Sequence, residues 1–404
     1  MRIENLLSCS GCHACFSVCP KSAISMSENN EGFLYPQINN GKCIKCGLCE
    51  KTCPAITPIK KENEGTKAYA AINKKEVIRL DSSSGGIFTA IAEKIIEENG
   101  VVFGAKFTSD FSVVHGWTDT IKGLADFRGS KYLQSVIGNS YKECNAFLES
   151  GRKVLFSGTS CQVQGLKKYL QKEYENLLPV DFICHGVPSP LLWKKYADYQ
   201  AEKFRAKREG IVKTAFRRKD DGWKLYSLSF TFSNDSEYRA TLNKDPYMQI
   251  FLKDIALRES CYDCKCRGIA RPSDITLADF WGVQNVLPAM DDDKGTSFVI
   301  AHSEKGKKLL EELKSCELKE IDVSAGAKYN PAIKKSPRKP KQRDYFYSDL
   351  EKLQFKTIVK KYASTPLYLR GYKFARHCAA KGVKVLIGKE NTNKLKKMLE
   401  KVQK

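Results

Sequence analysis

Eight cysteines stand in the first 53 residues, in two frames of identical spacing. The first frame is Cys9, Cys12, Cys15 and Cys19, followed by Pro20. The second is Cys43, Cys46, Cys49 and Cys53, followed by Pro54. Three thiols spaced this closely wrap one corner of an iron–sulfur cubane, and the proline turns the chain away before a fourth can close on it. The fourth thiol of each frame therefore serves the other cluster. The spacing assigns one 4Fe-4S cluster to Cys9, Cys12, Cys15 and Cys53, and a second to Cys43, Cys46, Cys49 and Cys19. Small residues between the ligands, Ser10, Gly11, Ala14 and Gly47, let backbone amides approach the sulfurs. Zinc knuckles would take four ligands in two CxxC-like pairs, and a disulfide knot would need an oxidising compartment. Neither matches three thiols in a row plus a distant fourth, written twice.

The 404 residues are enough for more than one domain. No apolar run approaches the roughly 20 residues of a membrane span. The stretch Met1 to Cys9 ends like a lipoprotein cleavage box but lacks the apolar segment that precedes one, so no leader peptide is expected. Sixteen cysteines in such a chain point to metal or redox use in a reducing cytoplasm. The net charge of +22 is uneven: from Pro331 onward there are 21 Lys and Arg against 5 Asp and Glu, a surplus of 16. A basic tail can meet nucleic acid, an anionic membrane surface or an acidic protein, or it can be a solvated face. No zinc finger, aromatic RNA-binding motif or helix-turn-helix cue accompanies it. The expected partner is a soluble electron carrier, a ferredoxin or flavodoxin, or a redox partner subunit; nucleic acid is not expected.

Residues 1–56 read as a dicluster ferredoxin-like module and 57–66 as a polar linker. Residues 67–345 alternate strand and helix, the pattern of an α/β body with helices packed on a sheet. Helices are expected over 87–98, 141–150, 161–174, 190–204, 247–258 and 305–315. Strands are expected over 69–72, 101–107, 153–156, 178–183, 274–278 and 297–302. Residues 211–242 change style, and Trp223–Phe232 with Glu237–Leu242 predict an antiparallel hairpin inserted in the body. Residues 346–404 read as a basic helical tail. The fold class expected is thus α+β or α/β.

A second cysteine set lies in the body. Cys161 and Cys184 stand at strand-to-helix corners, where a helix N-terminus favours thiolate, the form that binds iron. Cys261, Cys264 and Cys266 form a third group. The segments Ser82–Gly86, Gly129–Ser135, Gly158–Gln162, Cys184–Pro190, Cys261 with Cys264, and Asp274–Gly282 carry a family resemblance. The chain resembles the coenzyme F420 hydrogenase/dehydrogenase beta subunit, in the bacterial form with an N-terminal dicluster domain. The resemblance implies an FAD and a third 4Fe-4S cluster in the body. It places that cluster on Cys161, Cys184, Cys261 and Cys264, with Cys266 the rival fourth ligand. The chain departs from the family at Ser160, usually Pro, and at Ala278, usually Gly.

Ser84, Gly85 and Gly86 open a helix, so their amides offer a place for a phosphate or a flavin edge. A plain helix N-cap is the other reading. Lys131 and Thr159 could add charge and hydrogen bonds. No GxGxxG follows a strand, so an ordinary dinucleotide-binding domain is not expected. No catalytic residue is assigned; His185, beside Cys184, is the candidate acid or base, against a structural role. The function expected is an iron–sulfur flavoprotein oxidoreductase. It would pass electrons between a one-electron carrier and a small organic substrate or deazaflavin through FAD. The alternatives are an electron-transfer subunit of a larger hydrogenase or dehydrogenase, and a metal-stabilised interaction protein.

Overall fold

A computed structural model of the chain describes residues 3–4, 6–59 and 65–363. Met1–Tyr362 form one compact unit, and it contains every described residue except Ala363. Residues 364–404 of the tail expected over 346–404, and the linker residues 60–64, lie outside the described residues.

The N-terminal module holds two short helices, Ala14–Val18 and Leu48–Lys51, and an antiparallel pair, β1 (Ile24–Glu28) and β2 (Leu34–Ile38). Its two cysteine frames repeat a backbone as well as a spacing. The residues on either side of the middle cysteine are left-handed in both: Gly11 (φ 67°) and His13 (φ 62°) about Cys12, Lys45 (φ 56°) and Gly47 (φ 75°) about Cys46. That conformation costs an L-residue on the order of 1–2 kcal/mol. Its recurrence at His13 and Lys45 shows that both loops are forced to curl around their thiols.

The body is built on β3 (Lys67–Asn73), β4 (Val101–Phe107), β5 (Val113–Thr118), β6 (Val154–Thr159), β7 (Leu177–Phe182), β8 (Ile211–Arg218), β9 (Ser227–Phe232), β10 (Glu237–Thr241), β11 (Ile275–Asp279), β12 (Ser297–Ala301) and β13 (Cys316–Ile321). Eight of these form one mixed sheet in the order β13-β3-β12-β11-β7-β6-β4-β5. The central run β4-β6-β7-β11 is parallel. Parallel strands covered on both faces read as continuous apolar runs, and Val154-Leu155-Phe156 and Val101-Val102-Phe103 are such runs, fully buried. The helix Ile87–Glu97 lays Ile87, Ile91 and Ile95 on the sheet against Tyr69, Val102 and Leu155. Burying each isoleucine contributes about 2 kcal/mol.

The hairpin expected is β9 with β10, and β8 extends it to a three-stranded antiparallel sheet in the order β10-β9-β8. β8 was hidden because Lys213, Arg217 and Arg218 interrupt its apolar residues. The edge strands β5 and β13 were also unread; each buries one face only, so its apolar signal is sparse. The helix Arg343–Lys352 crosses the boundary expected between body and tail, and buries Phe346, Tyr347 and Leu350. No helix among the described residues is long and apolar enough to cross a membrane.

Candidate redox site

Cys9, Cys12, Cys15 and Cys53 line one cavity of about 370 Å³, together with Ser10, His13, Pro54 and Ala55. Cys19, Cys43, Cys46 and Cys49 line another of about 350 Å³, with Lys21 and Ile44. The partition is that of the two cysteine frames, each lending its last thiol to the other. The first cavity is the inner one: Cys12 is buried, whereas Cys46 is exposed and Ile44 is 58% exposed. Backbone amides aim at the sulfurs, Gly11 N at 3.4 Å from Cys9 Sγ and Ala23 N at 3.3 Å from Cys19 Sγ. Burial pushes the Cys12 thiol up to about 12, so holding it as thiolate calls for a cationic partner. Among the described residues no three His, Cys, Asp or Glu side chains converge closely enough to hold a single ion. The thiols ring a space instead of meeting at a point. That suits a cubane with an iron at each corner and not a lone zinc.

The body thiols come together by topology. β6 and β7 are parallel neighbours in register Thr159↔Phe182, so the chain leaves both from the same edge of the sheet. Cys161 follows β6 in the first turn of the helix Ser160–Leu170, and Cys184 follows β7. The segment after Cys184 then pairs with 256–261. Ser189 N donates to the Ala256 carbonyl at 3.1 Å, Arg258 N to the Val187 carbonyl at 3.0 Å, and Val187 N to Cys261 Sγ at 3.5 Å. One cavity of about 690 Å³, partly open to solvent, is lined by Cys161, Cys184, Cys261, Cys264 and Cys266. Arg267 and Arg271 stand on its wall. Ser160 Oγ, on the same wall, is buried with no hydrogen-bond partner among the described residues.

The helix-end argument for thiolate does not hold here. Cys184 lies in a loop, since the next helix starts only at Pro190. At Cys161 burial outweighs the helix N-terminus and pushes the thiol up. Burial likewise pushes Cys261 up to about 12. Cys264 is the exception: the neighbouring Cys266, with Arg267 and Arg271, draws its pKa down.

The five residues expected at a flavin do not gather. Thr159 lines the thiol cavity, its hydroxyl 3.0 Å from Cys161 Sγ and from Gln162 Oε1. Ser84, Gly85, Gly86 and Lys131 are not on that wall. The Gly85 amide is taken by Ser297 Oγ at 3.0 Å, and a side chain there would strike the Ala71 carbonyl. Gly85 is glycine because the corner packs onto β3 and β12. The cations fit a flavin better. Ser83 Oγ accepts from the Ser130 amide at 2.6 Å, which brings the Lys131 stretch to this corner. Among the described residues Lys131 donates only to the Arg128 and Gly129 carbonyls, and burial pushes it down to about 8. Trp223 Nε1 donates to the Ser83 carbonyl at 3.1 Å and its ring stacks on Trp281 at 4.8 Å. Arg217 lies against Trp281 and Tyr226 and pairs with Asp279 at 2.5 Å; its Nε and Nη2 are buried without a partner among the described residues. A buried cation with free donors, between aromatic walls, fits an anionic, ring-bearing cofactor.

His185 is exposed, its Nε2 2.5 Å from Asp254 Oδ1, and its ring is edge-on to Phe251. It is not on the thiol cavity wall.

Sequence reasoning missed the residues that bind the module to the body. Ser8, Ser10, Pro54 and Ala55 of the module line the body cavity, and the last three also line the inner module cavity. A Cβ on Gly165, in the helix that carries Cys161, would sit 3.1 Å from Cys12 Sγ, so only glycine allows this approach. Arg343 pairs with Glu31 of the module through two bonds of 2.7 and 2.6 Å. Gln134 Nε2 donates to the Ser10 carbonyl at 2.8 Å. Ser10 and Pro54 stand in the cysteine frames, but their spacing says nothing of the body; of the rest, only Gln134 falls in a segment that carried the resemblance.

Comparison with known proteins matches residues 8–56 to the 4Fe-4S dicluster domain. Residues 151–324 match the family described as the C terminus of the coenzyme F420 hydrogenase/dehydrogenase beta subunit. A coenzyme F420-dependent sulfite reductase of Methanocaldococcus jannaschii is 26% identical over 208 residues, which are 49% of this chain and 31% of that protein. The match thus spans about a third of that relative's length. A chain in a xenon-derivatised F420-reducing [NiFe] hydrogenase complex from Methanosarcina barkeri aligns with a TM-score of 0.45 at 16% identity, covering 70% of this chain and 99% of that one. The chain therefore joins a 4Fe-4S dicluster module to the C-terminal domain of the coenzyme F420 hydrogenase/dehydrogenase beta-subunit family.

Proposed function

We propose that the chain is an iron–sulfur flavoprotein reductase that takes single electrons from a carrier protein and delivers them to a small organic substrate. The observation that carries this reading is the shared wall: Ser10, Pro54 and Ala55 line both the inner module cavity and the body cavity of five thiols. Redox groups in those cavities would lie close enough for direct electron transfer. The proposed ligands are Cys9, Cys12, Cys15 and Cys53; Cys43, Cys46, Cys49 and Cys19; and Cys161, Cys184, Cys261 and Cys264. Cys266 would not bind iron.

FAD fits the corner between Ser83 and Lys131, where Lys131 and Arg217 would hold its phosphates and Trp223 and Trp281 would shape its wall. When bound, it supplies the conversion between single electrons and a hydride. Anaerobically purified protein should hold about twelve iron and twelve labile sulfide per chain. Iron near eight would remove the body cluster; zinc in place of iron would end the reading. Replacing Lys131 with Met should lower flavin retention at least about tenfold while iron stays constant. Equal flavin in the variant would place the cofactor elsewhere.

The carrier should dock on the outer cavity. Cys46 and Ile44 are exposed there, and Lys21, Lys42 and Lys45 are exposed around them. A basic rim around an apolar centre complements an acidic carrier. Changing the three lysines to Glu should slow reduction by reduced ferredoxin or flavodoxin about tenfold or more at low salt, with the difference shrinking as salt rises. An unchanged rate would move the docking face to the basic tail. Turnover with a chemical donor and no partner protein distinguishes this enzyme from a subunit of a larger complex.

A further inference from the structure

Arg258 is fully buried, three residues before Cys261. Its partners are neutral. Nε donates to the Cys9 carbonyl at 2.7 Å, Nη1 to Gln134 Oε1 at 2.9 Å, and Nη2 to the Leu34 carbonyl at 2.9 Å. Nη2 also lies 3.6 Å from Cys9 Sγ. The guanidinium covers the ring of Tyr35 at 4.1 Å. Among the described residues it forms no ion pair with a carboxylate. A buried cation of this kind is strongly unfavourable unless an opposite charge stands near. The thiol set it touches is that of the inner cavity, at Cys9; the body thiols Cys161 and Cys261 also feel its charge.

The same residue abuts the body cavity. Its amide donates to the Val187 carbonyl at 3.0 Å, and its carbonyl accepts from the Cys261 amide at 2.9 Å. Val187 and Cys261 both line that cavity. The outer cavity has a different cation: Lys21 is exposed, so water screens it.

We propose that Arg258 is the counter-ion of the inner module cluster and raises its reduction potential above that of the outer one. The proposal rests on the cluster assignment made above. A fixed cation favours the more negative, reduced form of a neighbouring cluster. Without solvent to screen it, Arg258 would make the step from outer to inner cluster downhill. One electron moves in that step, and no bond is made or broken. The body cluster, whose Cys161 and Cys261 also feel the guanidinium, should shift in the same direction.

The test is a redox titration of the full chain, kept anaerobic and followed by electron paramagnetic resonance. In Arg258→Gln, the reduced-to-oxidised ratio of one module cluster at fixed ambient potential should fall about tenfold or more. The other module cluster should not move. Arg258→Lys, which keeps the charge, should restore most of the ratio. Equal shifts in the Gln and Lys variants would assign the effect to packing and overturn the proposal. So would unmoved potentials at full iron content. If Arg258→Gln fails to load iron, Gln134→Glu decides. It sets a carboxylate against the guanidinium and should lower the same potential; no shift there overturns the proposal. Iron in the unaltered chain separates the two failures, because a count far below twelve defeats the assignment itself.

Discussion

Cys161→Ser should lose one cluster out of three, leaving about eight of about twelve iron atoms per chain with the two module clusters intact. Substrate reduction should fall by orders of magnitude, while reduction of the module by a chemical donor persists. The site is demanding because Cys161 is held on three sides. Thr159 contacts its sulfur, the helix start fixes its backbone, and Gly165, one turn on, rests against Cys12. Cys266→Ser should keep all its iron, since Cys264 is the proposed ligand of that pair. If Cys266→Ser loses iron and Cys264→Ser does not, the proposed ligand set is wrong. Iron analysis with resonance spectra of the three variants decides it.

Deleting residues 1–59 should leave the body unable to fold stably, although a polar linker joins it to the module. The buried guanidinium of Arg258 would lose the Cys9 and Leu34 carbonyls and keep only Gln134. Water would reach the guanidinium and take the place of those carbonyls, so little of the loss arises there. Arg343 would lose Glu31 and fall back on Glu259 at 3.3 Å. Cys12 and Ala14 would also be stripped from the core cluster they share with Tyr141, Val163 and Leu166. Against a typical total of about 5–15 kcal/mol, uncovering these apolar side chains and breaking the Arg343–Glu31 pair removes a large share of the stability. A thermal melt followed by circular dichroism checks it. A truncated body that melts within about 3 °C of the full chain would show the module to be an appended cap.

The body strands with long apolar runs were legible, because burial on both faces leaves no polar positions to blur the pattern. β4, β7, β11 and β12 stand where their residues place them, to within one residue at either end. The helix expected to run to 174 stops at Leu170, where Gln171 turns left-handed (φ 58°). The helix expected over 247–258 stops at Leu252, since 256–261 is recruited to pair with the segment after Cys184. That pairing depends on chain 70 residues away, and no local pattern reports it.

The redox site divides along the same line. The grouping of the eight module thiols is written in spacing alone, because a short loop with a terminal proline has one way to reach a cubane and one way to leave it. Cys161, Cys184, Cys261, Cys264 and Cys266 were read as one thiol set of the body, and only the family resemblance divided them into a ligand set. Three separate segments supply them, and their meeting follows from the parallel register of β6 with β7. Gly85 was read for a ligand that its packing against Ala71 and Ser297 does not require. Arg258 and the Arg343–Glu31 pair left no trace in the sequence, and Gln134 only a place in a segment of the resemblance, since a lone arginine or glutamine has no periodicity and no spacing partner. Their importance arises from burial, which removes the water that would otherwise screen a charge, and burial exists only once the module and the body are packed together.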